Sequence, residues 1–279
     1  MLPPDGPRLP AARALAIGHT DELLAVDTAG GILVYDADAE LLRQWRMPET
    51  RVGQPEGICL LKDGRIAVAD THYHRVVFFD QQGKLLGTLG AHGTGPGQFI
   101  YPVALTQDDK GWLYVAEYGG NDRVQIFSPE GKFLWSVGSF GTGPMDFQRP
   151  SGVASDGSRV YVADAFNNRI LAFPTSYGIG GGKLELFSGE RLSLQFPYGV
   201  SIGKDSVLYI IEYGAGRLTK VTFANIHSRP RSQTAFVSRF GSSGRGEGQF
   251  LTPWDVAVDS RGRVFVADTG NRRIVRLTP

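Results

Sequence analysis

Six acidic residues occupy corresponding places along the 279-residue chain, each at the end of a short apolar run such as "RIAVAD" or "RVFVAD". They are Asp27, Asp70, Glu117, Asp164, Glu212 and Asp268. Carboxylates gathered around one axis could coordinate a divalent cation. All but the first, however, are followed five or six residues later by an arginine, namely Arg75, Arg123, Arg169, Arg217 and Arg273. This spacing favours an ion pair that fixes the turn between two strands. Asp27 lacks such a partner, because Ile32 stands in the arginine position, and it is the acid that the pattern leaves free for a metal.

Histidines offer a second set of candidate metal ligands. His72 and His74 lie in one predicted loop, and His92 follows in the next connection. A zinc site needs several ligands that converge, and two histidines two residues apart in a loop have poor spacing for it. These three residues and Asp27 are therefore secondary candidates only, and we predict neither a metal nor another cofactor. No Ser-His-acid or Cys-His arrangement has motif support, so no catalytic residue is predicted.

Side chains that differ between corresponding places suggest a binding surface. They follow recurring prolines or lie in the loops after the acids, and the candidate ligand-binding residues are Glu56, His72, Tyr73, His74, Tyr118, Arg149, Phe166, Tyr198, Tyr213 and Trp254. Aromatic rings beside arginine suit a peptide, a glycan or a stacked base, although packing between loops accounts for the same rings. Repetition explains shared residues but not Glu56, Tyr198 and Trp254, so a ligand-binding role is better motivated here than at the acids.

A repeat along the chain positions these residues. Five prolines mark it, separated by 47, 48, 47 and 56 residues, and they are Pro55, Pro102, Pro150, Pro197 and Pro253. Each copy contains four short runs with strand character, a to d, separated by turn residues. A period of this length with several strands per copy is typical of a β-propeller. The predicted blades span roughly 11–47, 54–90, 98–138, 147–189, 195–241 and 249–279.

We therefore predict one all-β domain over residues 1–279, a six-bladed β-propeller of four-stranded antiparallel blades. Many strands are apolar on both faces, as sheets covered on both sides require. The last copy ends before its outer strand, so that strand should be absent or only weakly completed. Residues 1–9 are the candidates to complete it, but Pro3, Pro4 and Pro7 cannot donate backbone hydrogen bonds, and we expect weak or absent closure there.

Charge and hydropathy restrict the partners. The formal net charge is +1, from 29 basic and 28 acidic residues, whereas proteins that bind nucleic acid through phosphates usually carry a basic excess. No run approaches 18 apolar residues, so no membrane span is predicted and the protein should be soluble. The first ten residues contain no signal of basic and then apolar residues, which leaves a cytosolic protein and an exported mature domain both open.

Two segments resemble the NHL repeat: "RPSGVASDGSRVYVADAFNNRILAF" (149–173) and "LTPWDVAVDSRGRVFVADTGNRRIVRL" (251–277). The resemblance extends over about five of the six copies. It implies a six-bladed propeller with its b–c and d–a loops on one face, called the top. The family includes protein-binding and RNA-binding discs, extracellular sensor domains and a peptide-amidating lyase, so the resemblance implies a scaffold rather than one activity.

These observations lead to one functional prediction and two alternatives. We predict a non-catalytic module that binds a protein or peptide through the top face. The first alternative is a metal-assisted lyase or hydrolase with its site at the mouth of the central channel. The second is an RNA-binding propeller, which the near-neutral charge disfavours.

Overall fold

Six small antiparallel sheets surround a central channel. The computed structural model describes residues 11–180, 185–187, 192–204, 207–223 and 235–278. The arrangement confirms the predicted six-bladed β-propeller, and among these residues the sixth blade has three strands where the others have four. Residues 1–9, which we considered as a closing strand, lie outside the described residues.

The strands of each blade pair in chain order. Blade 1 contains β1 (Ala12–Ile17), β2 (Leu23–Asp27), β3 (Gly31–Tyr35) and β4 (Leu41–Arg46). Blade 2 contains β5 (Gly57–Leu60), β6 (Ile66–Asp70), β7 (Arg75–Phe79) and β8 (Leu85–Leu89). Blade 3 contains β9 (Tyr101–Gln107), β10 (Leu113–Tyr118), β11 (Arg123–Phe127) and β12 (Phe133–Val137).

Blade 4 contains β13 (Pro150–Ser155), β14 (Arg159–Asp164), β15 (Arg169–Pro174) and β16 (Glu185–Phe187). Blade 5 contains β17 (Pro197–Ile202), β18 (Leu208–Glu212), β19 (Arg217–Phe223) and β20 (Ala235–Phe240). A short parallel pair, β21 (Ser242–Ser243) and β22 (Gln249–Phe250), leads into blade 6, which contains β23 (Asp255–Val258), β24 (Val264–Asp268) and β25 (Arg273–Leu277).

Short helical turns accompany several of the described strands. Three single-turn 3₁₀ helices follow the second strands of blades 2, 4 and 6, at Thr71–Tyr73, Ala165–Asn167 and Thr269–Asn271. One α-helical turn, α1, spans Tyr177–Gly180. In the part of the chain that the structure describes, no helix has the length and apolar character needed to cross a membrane.

Apolar side chains fill every interface between neighbouring blades. The described residues form six clusters, each shared by two adjacent blades, which explains why these strands are apolar on both faces. Phe99, Phe147 and Phe250 are at most 1% exposed, and each belongs to one of these clusters. Each of these phenylalanines ends a Gly-rich connection between two blades, and its ring anchors that connection in the apolar interface.

Blade 6 meets blade 1 through packed faces. Phe265 and Ala267 of blade 6 pack with Leu15 and Leu33 of blade 1. The Thr269 hydroxyl also donates a hydrogen bond to the Ala12 carbonyl at 2.7 Å. Within the described residues the ring is therefore closed by side-chain packing and cross-blade hydrogen bonds rather than by a shared sheet.

Candidate functional site

The b–c turns contain the acid–arginine pairs that the spacing predicts. In blades 2 to 6 the arginine Nε atom lies 2.7–2.9 Å from a carboxylate oxygen at the end of the second strand. The pairs are Arg75–Asp70, Arg123–Glu117, Arg169–Asp164, Arg217–Glu212 and Arg273–Asp268. Each acid side chain is at most 1% exposed. A buried carboxylate of this kind is stable only with such partners.

Blade 4 shows how completely one of these acids is engaged. Asp164 accepts hydrogen bonds from the Gln148 backbone N–H, the Asn167 amide and the Arg169 guanidinium, all at 2.7 Å. Burial raises the pKa of this carboxyl above its usual range, and these three bonds oppose that rise. The bonds join the b–c turn to the connection that arrives from blade 3. The repeated acids therefore have a structural role, which is to hold the b–c turns in place.

The secondary metal candidates are not gathered into one site. Oδ1 of Asp27 accepts the backbone N–H groups of Ala29 and Gly31, and the acid is 6% exposed. The rings of His74 and His92 lie 4.4 Å apart, whereas His72 and His74 each contact the ring of Tyr101 with centroids 5.7 Å apart. Across the described ranges, no three His, Cys, Asp or Glu residues are arranged to hold a metal ion.

One residue from each blade lies at the mouth of the channel. In each blade, one residue at the start of the first strand lies beside the acid that ends the second strand, and the mouth residue is the next one in the chain. The six mouth residues are Arg13, Glu56, Val103, Ser151, Tyr198 and Trp254. In blades 1, 3, 4 and 5 the strand register shifts at this residue, which is the pattern of a β-bulge. A bulge re-aims a side chain out of the regular alternation of a strand.

Arg13 is a mouth residue that the sequence analysis missed. In blades 3, 4 and 5 a proline pairs with the acid of the second strand, but in blade 1 Ala12 pairs with Asp27. Without the proline, the sequence does not show that Arg13 corresponds to the residues that follow the prolines in the other blades. The guanidinium of Arg13 lies 3.7 Å from the centroid of the Trp254 ring and its Nη2 atom lies 3.3 Å from Oε1 of Glu56.

Aromatic rings continue the mouth on the blade 5 and blade 6 side. The Tyr198 ring is 4.7 Å from Trp254 and 5.0 Å from Tyr213, and the Tyr213 and Trp254 centroids are 5.7 Å apart. Tyr198 is only 7% exposed, whereas Trp254 and Tyr213 are half-buried. Tyr198 and Trp254 therefore lie side by side, and Trp254 offers the more accessible ring.

Arg149 joins three blades across the mouth. Its Nε donates a 2.6 Å hydrogen bond to the Tyr198 hydroxyl, and its guanidinium lies 4.2 Å from the Tyr118 centroid and 5.9 Å from that of Phe166. The backbone N–H of Arg149 donates to Asp122, which fixes the main chain at this point. Within the part of the chain that the structure describes, the Arg149 side chain forms no ion pair.

The remaining predicted residues form an outer tier above this mouth. Phe166 is 53% exposed and its ring meets Phe196, an exposed residue that the sequence analysis missed, at 5.9 Å. The Tyr101 ring connects Tyr118 to the histidines described above. Tyr73 is held at the periphery, where its hydroxyl accepts the Val52 backbone N–H. The outer tier therefore combines loop packing with exposed rings.

The channel below the mouth has a volume of about 200 Å³ and is lined by the first strands of all six blades. Asp255 faces it from blade 6, where its two oxygens accept the backbone N–H groups of Leu15 and Val256, both at 2.8 Å. Burial raises the pKa of this carboxyl to about 7. Asp255 was not predicted from the sequence, although it stands out there as an acid, since the corresponding residues in blades 2 to 5 are Gly57, Ala104, Gly152 and Gly199.

Comparison with known proteins places the chain among repeat proteins. A family model described as NHL repeat matches residues 53–79 and 250–277. The chain is 41% identical over 51 residues to the RING finger protein nhl-1 of Caenorhabditis elegans, and the match covers 18% of this chain and 5% of that protein. It is 49% identical over 43 residues to the E3 ubiquitin-protein ligase TRIM71 of Rattus norvegicus, covering 15% of this chain and 5% of that protein.

Among solved structures, the chain is similar to virginiamycin B lyase from Staphylococcus aureus. The TM-score is 0.65 at 15% sequence identity, and the alignment covers 96% of this chain and 81% of the lyase. Identity at this level shows a common propeller architecture and nothing about chemistry. The sequence relatives and this structural relative thus agree on the scaffold, and the site must be argued from its own residues.

Proposed function

The chain folds as a six-bladed β-propeller in which two segments match the NHL repeat, and on that premise we propose that it is a binding module that recognises a protein or peptide through its top face. The observation that carries the proposal is the mouth itself. Six corresponding positions hold six different side chains at the point where the blades converge. A scaffold repeat would require the same small residue at each position, so the differences favour selection for a ligand.

The shape of the mouth supports a polymer that lies across it. A channel of about 200 Å³ is smaller than the roughly 300–1,000 Å³ of a typical small-molecule pocket. It has room for one projecting side chain, while the rest of the ligand would rest on the outer tier. Half-buried and exposed aromatic rings such as Trp254, Tyr213 and Phe166 are the side-chain types that dominate binding energy at peptide and protein interfaces.

The test is a selection from a random peptide library displayed with a fixed length of twelve residues. The wild-type protein should enrich a set of related peptides, and Trp254→Ala should weaken their binding by about 10-fold or more, as loss of an interface tryptophan does. Affinities would be measured by isothermal titration calorimetry with the synthesised peptides. Thermal unfolding of each variant would establish that the propeller is intact.

Trp112→Ala provides the matched control. Trp112 is also a half-buried tryptophan with an aromatic contact, to Trp135 at 5.1 Å, but it precedes the second strand of blade 3 and so lies at the opposite end of that strand from the mouth. The Trp112→Ala variant should bind the peptides with the affinity of the wild type. No enrichment by the wild type, or equal binding by Trp254→Ala, would contradict the proposed function.

A specific observation supports a second candidate function, acid–base catalysis in the channel. Asp255 is a carboxylate whose pKa is raised by burial to about 7, which is the range suited to a general base at neutral pH. Its oxygens face a space that a small substrate group could enter. A hydrolase or lyase reaction without a metal would fit this arrangement.

This candidate is tested with a panel of activated esters and lactones. Turnover by the wild type that is lost in Asp255→Asn but retained in Trp112→Ala would support catalysis. Equal rates for wild type and Asp255→Asn across the panel would exclude this role for Asp255 on these substrates and leave the binding proposal as it stands.

A further inference from the structure

The hydrogen-bond donors at the mouth outnumber the acceptors that the protein provides for them. A guanidinium carries five N–H donors, of which Arg149 uses Nε on the Tyr198 hydroxyl, while its guanidinium lies 4.2 Å from the Tyr118 ring centroid. Among the described residues, neither of these two phenols donates its own hydrogen to an acceptor. Burial raises the pKa of both phenols, so their hydrogens are retained at neutral pH. The mouth is therefore rich in donors that await an acceptor.

Arg149 differs from the arginines of the repeat in its charge balance. Each repeat arginine is paired with the acid of its own blade, whereas Arg149 has aromatic rings and hydroxyls around it instead. The carboxylate of Glu56 acts on the Arg149 guanidinium electrostatically but forms its ion pair with Arg13. Arg13 and Arg149 together thus carry two positive charges against the one negative charge of Glu56.

From this arrangement we infer that Arg149, with the hydroxyls of Tyr118 and Tyr198, is a subsite for a single carboxylate group of a bound peptide. The inference rests on the proposed peptide-binding function and names the chemical group that the site selects. A planar carboxylate accepts two parallel N–H donors from one guanidinium, and phenol hydroxyls can complete its shell. The ring centroids of Tyr118 and Phe166 lie 4.2 and 5.9 Å from the guanidinium carbon.

Glu56 makes the site selective for one negative charge. Its side chain is 6% exposed and lies close enough to Tyr118, Tyr198 and Arg149 to influence them. A second anionic group at the same mouth would be repelled by this carboxylate. The net charge of +1 for the whole chain also lacks the basic excess that is usual in proteins that bind polyanions. A peptide acid therefore fits better than a nucleic-acid backbone.

The experiment uses the peptides selected above, each synthesised in three forms. The first has its acids and a free C-terminus, the second has Asp and Glu replaced by Asn and Gln, and the third has an amidated C-terminus. One of the two neutral forms should bind wild type about 10- to 100-fold more weakly than the acidic form, as expected for loss of a charge-assisted hydrogen-bond pair. The form that loses affinity identifies whether the carboxylate is a side chain or the C-terminus.

Arg149→Gln should bind the acidic peptide more weakly by a similar factor and should no longer distinguish it from the neutral form. The matched control is Arg272→Gln, which removes the same charge from a residue that also has a left-handed backbone, with φ of 53° against 58°, and is exposed in a b–c turn. It should retain the wild-type preference. In both variants glutamine must adopt the same left-handed backbone as the arginine that it replaces, and thermal unfolding establishes whether each variant is folded.

Three outcomes would overturn the inference. The first is equal affinity of wild type for all three peptide forms, and the second is an undiminished preference in Arg149→Gln. The third is preferential binding of a single-stranded RNA oligonucleotide at physiological salt that Arg149→Gln abolishes, which would assign the subsite to phosphate. Each differs from failure of the proposed function, in which wild type enriches no peptides at all.

Discussion

The b–c turns and the channel mouth use the same kinds of side chain in opposite ways. In the turns an acid and an arginine recur in five blades, and each acid is buried and paired with the guanidinium of its own blade. At the mouth each blade contributes a different residue, and the Arg149 guanidinium forms no ion pair with a carboxylate among the described residues. The repeated charges of the turns are therefore neutralised within each blade, whereas the charge of the Arg149 guanidinium is not.

Removing one arginine from a b–c turn should have the largest effect. In Arg169→Met, Asp164 stays buried but loses the guanidinium, and the free energy of unfolding should fall by about 3–5 kcal/mol, as when a buried ion pair is broken. Urea denaturation followed by circular dichroism measures this. Arg272 is an exposed arginine in the b–c turn of blade 6, and Arg272→Met should change the free energy of unfolding by less than about 0.5 kcal/mol. A loss below about 1 kcal/mol in Arg169→Met would contradict the structural role of the turn pairs.

The carboxyl of Asp255 should make stability depend on pH in a defined direction. Its ordinary pKa is 3.8, and burial raises it to about 7 in the folded protein. Between these values the folded state retains a proton that the unfolded chain has released, so this group lowers the free energy of unfolding as the pH rises through that window.

Asp255→Asn removes that dependence. Relative to the variant, the wild type should lose up to about 3 kcal/mol of stability between pH 5 and pH 8. Urea denaturation of both proteins across this range measures the difference, and the comparison cancels the titration of the other carboxyls. Parallel stability curves for the two proteins would show that Asp255 does not titrate in this window.

The contact between Arg13 and Trp254 should contribute a smaller, measurable coupling. A guanidinium 3.7 Å from an indole centroid is a cation–π arrangement, for which we expect about 0.5–2 kcal/mol. A double-mutant cycle of Arg13→Met and Trp254→Leu isolates this energy from the losses of the single variants. Additive losses would indicate that the two mouth residues are merely adjacent.

An exposed ion pair away from the turns should have the smallest effect. Nζ of Lys62 lies 2.7 Å from Oδ1 of Asp109, but the two side chains are 51% and 77% exposed. Water competes for both charges, so Lys62→Met should lower the free energy of unfolding by less than about 1 kcal/mol. A cost close to that of Arg169→Met would show that burial does not explain the strength of the turn pairs.

Part of the site could be predicted because the repeat aligns the blades. The proline positions identified Glu56, Tyr198 and Trp254, and the two rings lie 4.7 Å apart in the structure. Arg13 was missed because Ala12 replaces the proline that marks the other copies. Asp255 was missed because a single polar residue in an apolar strand gains its meaning only from the channel that it faces.

By itself, the sequence determined the number of blades and the acid–arginine pairs of the turns. All of these depend on residues close together in the chain or repeated at a regular interval, and such order survives in a linear pattern. Only the tertiary structure decided that Arg13 reaches Trp254 across the ring closure, that Arg149 spans three blades and that Asp255 faces the channel. Most of those contacts join residues from separate blades. Such residues come together only when the blades close into a ring, and their spacing in the sequence does not indicate which of them will touch.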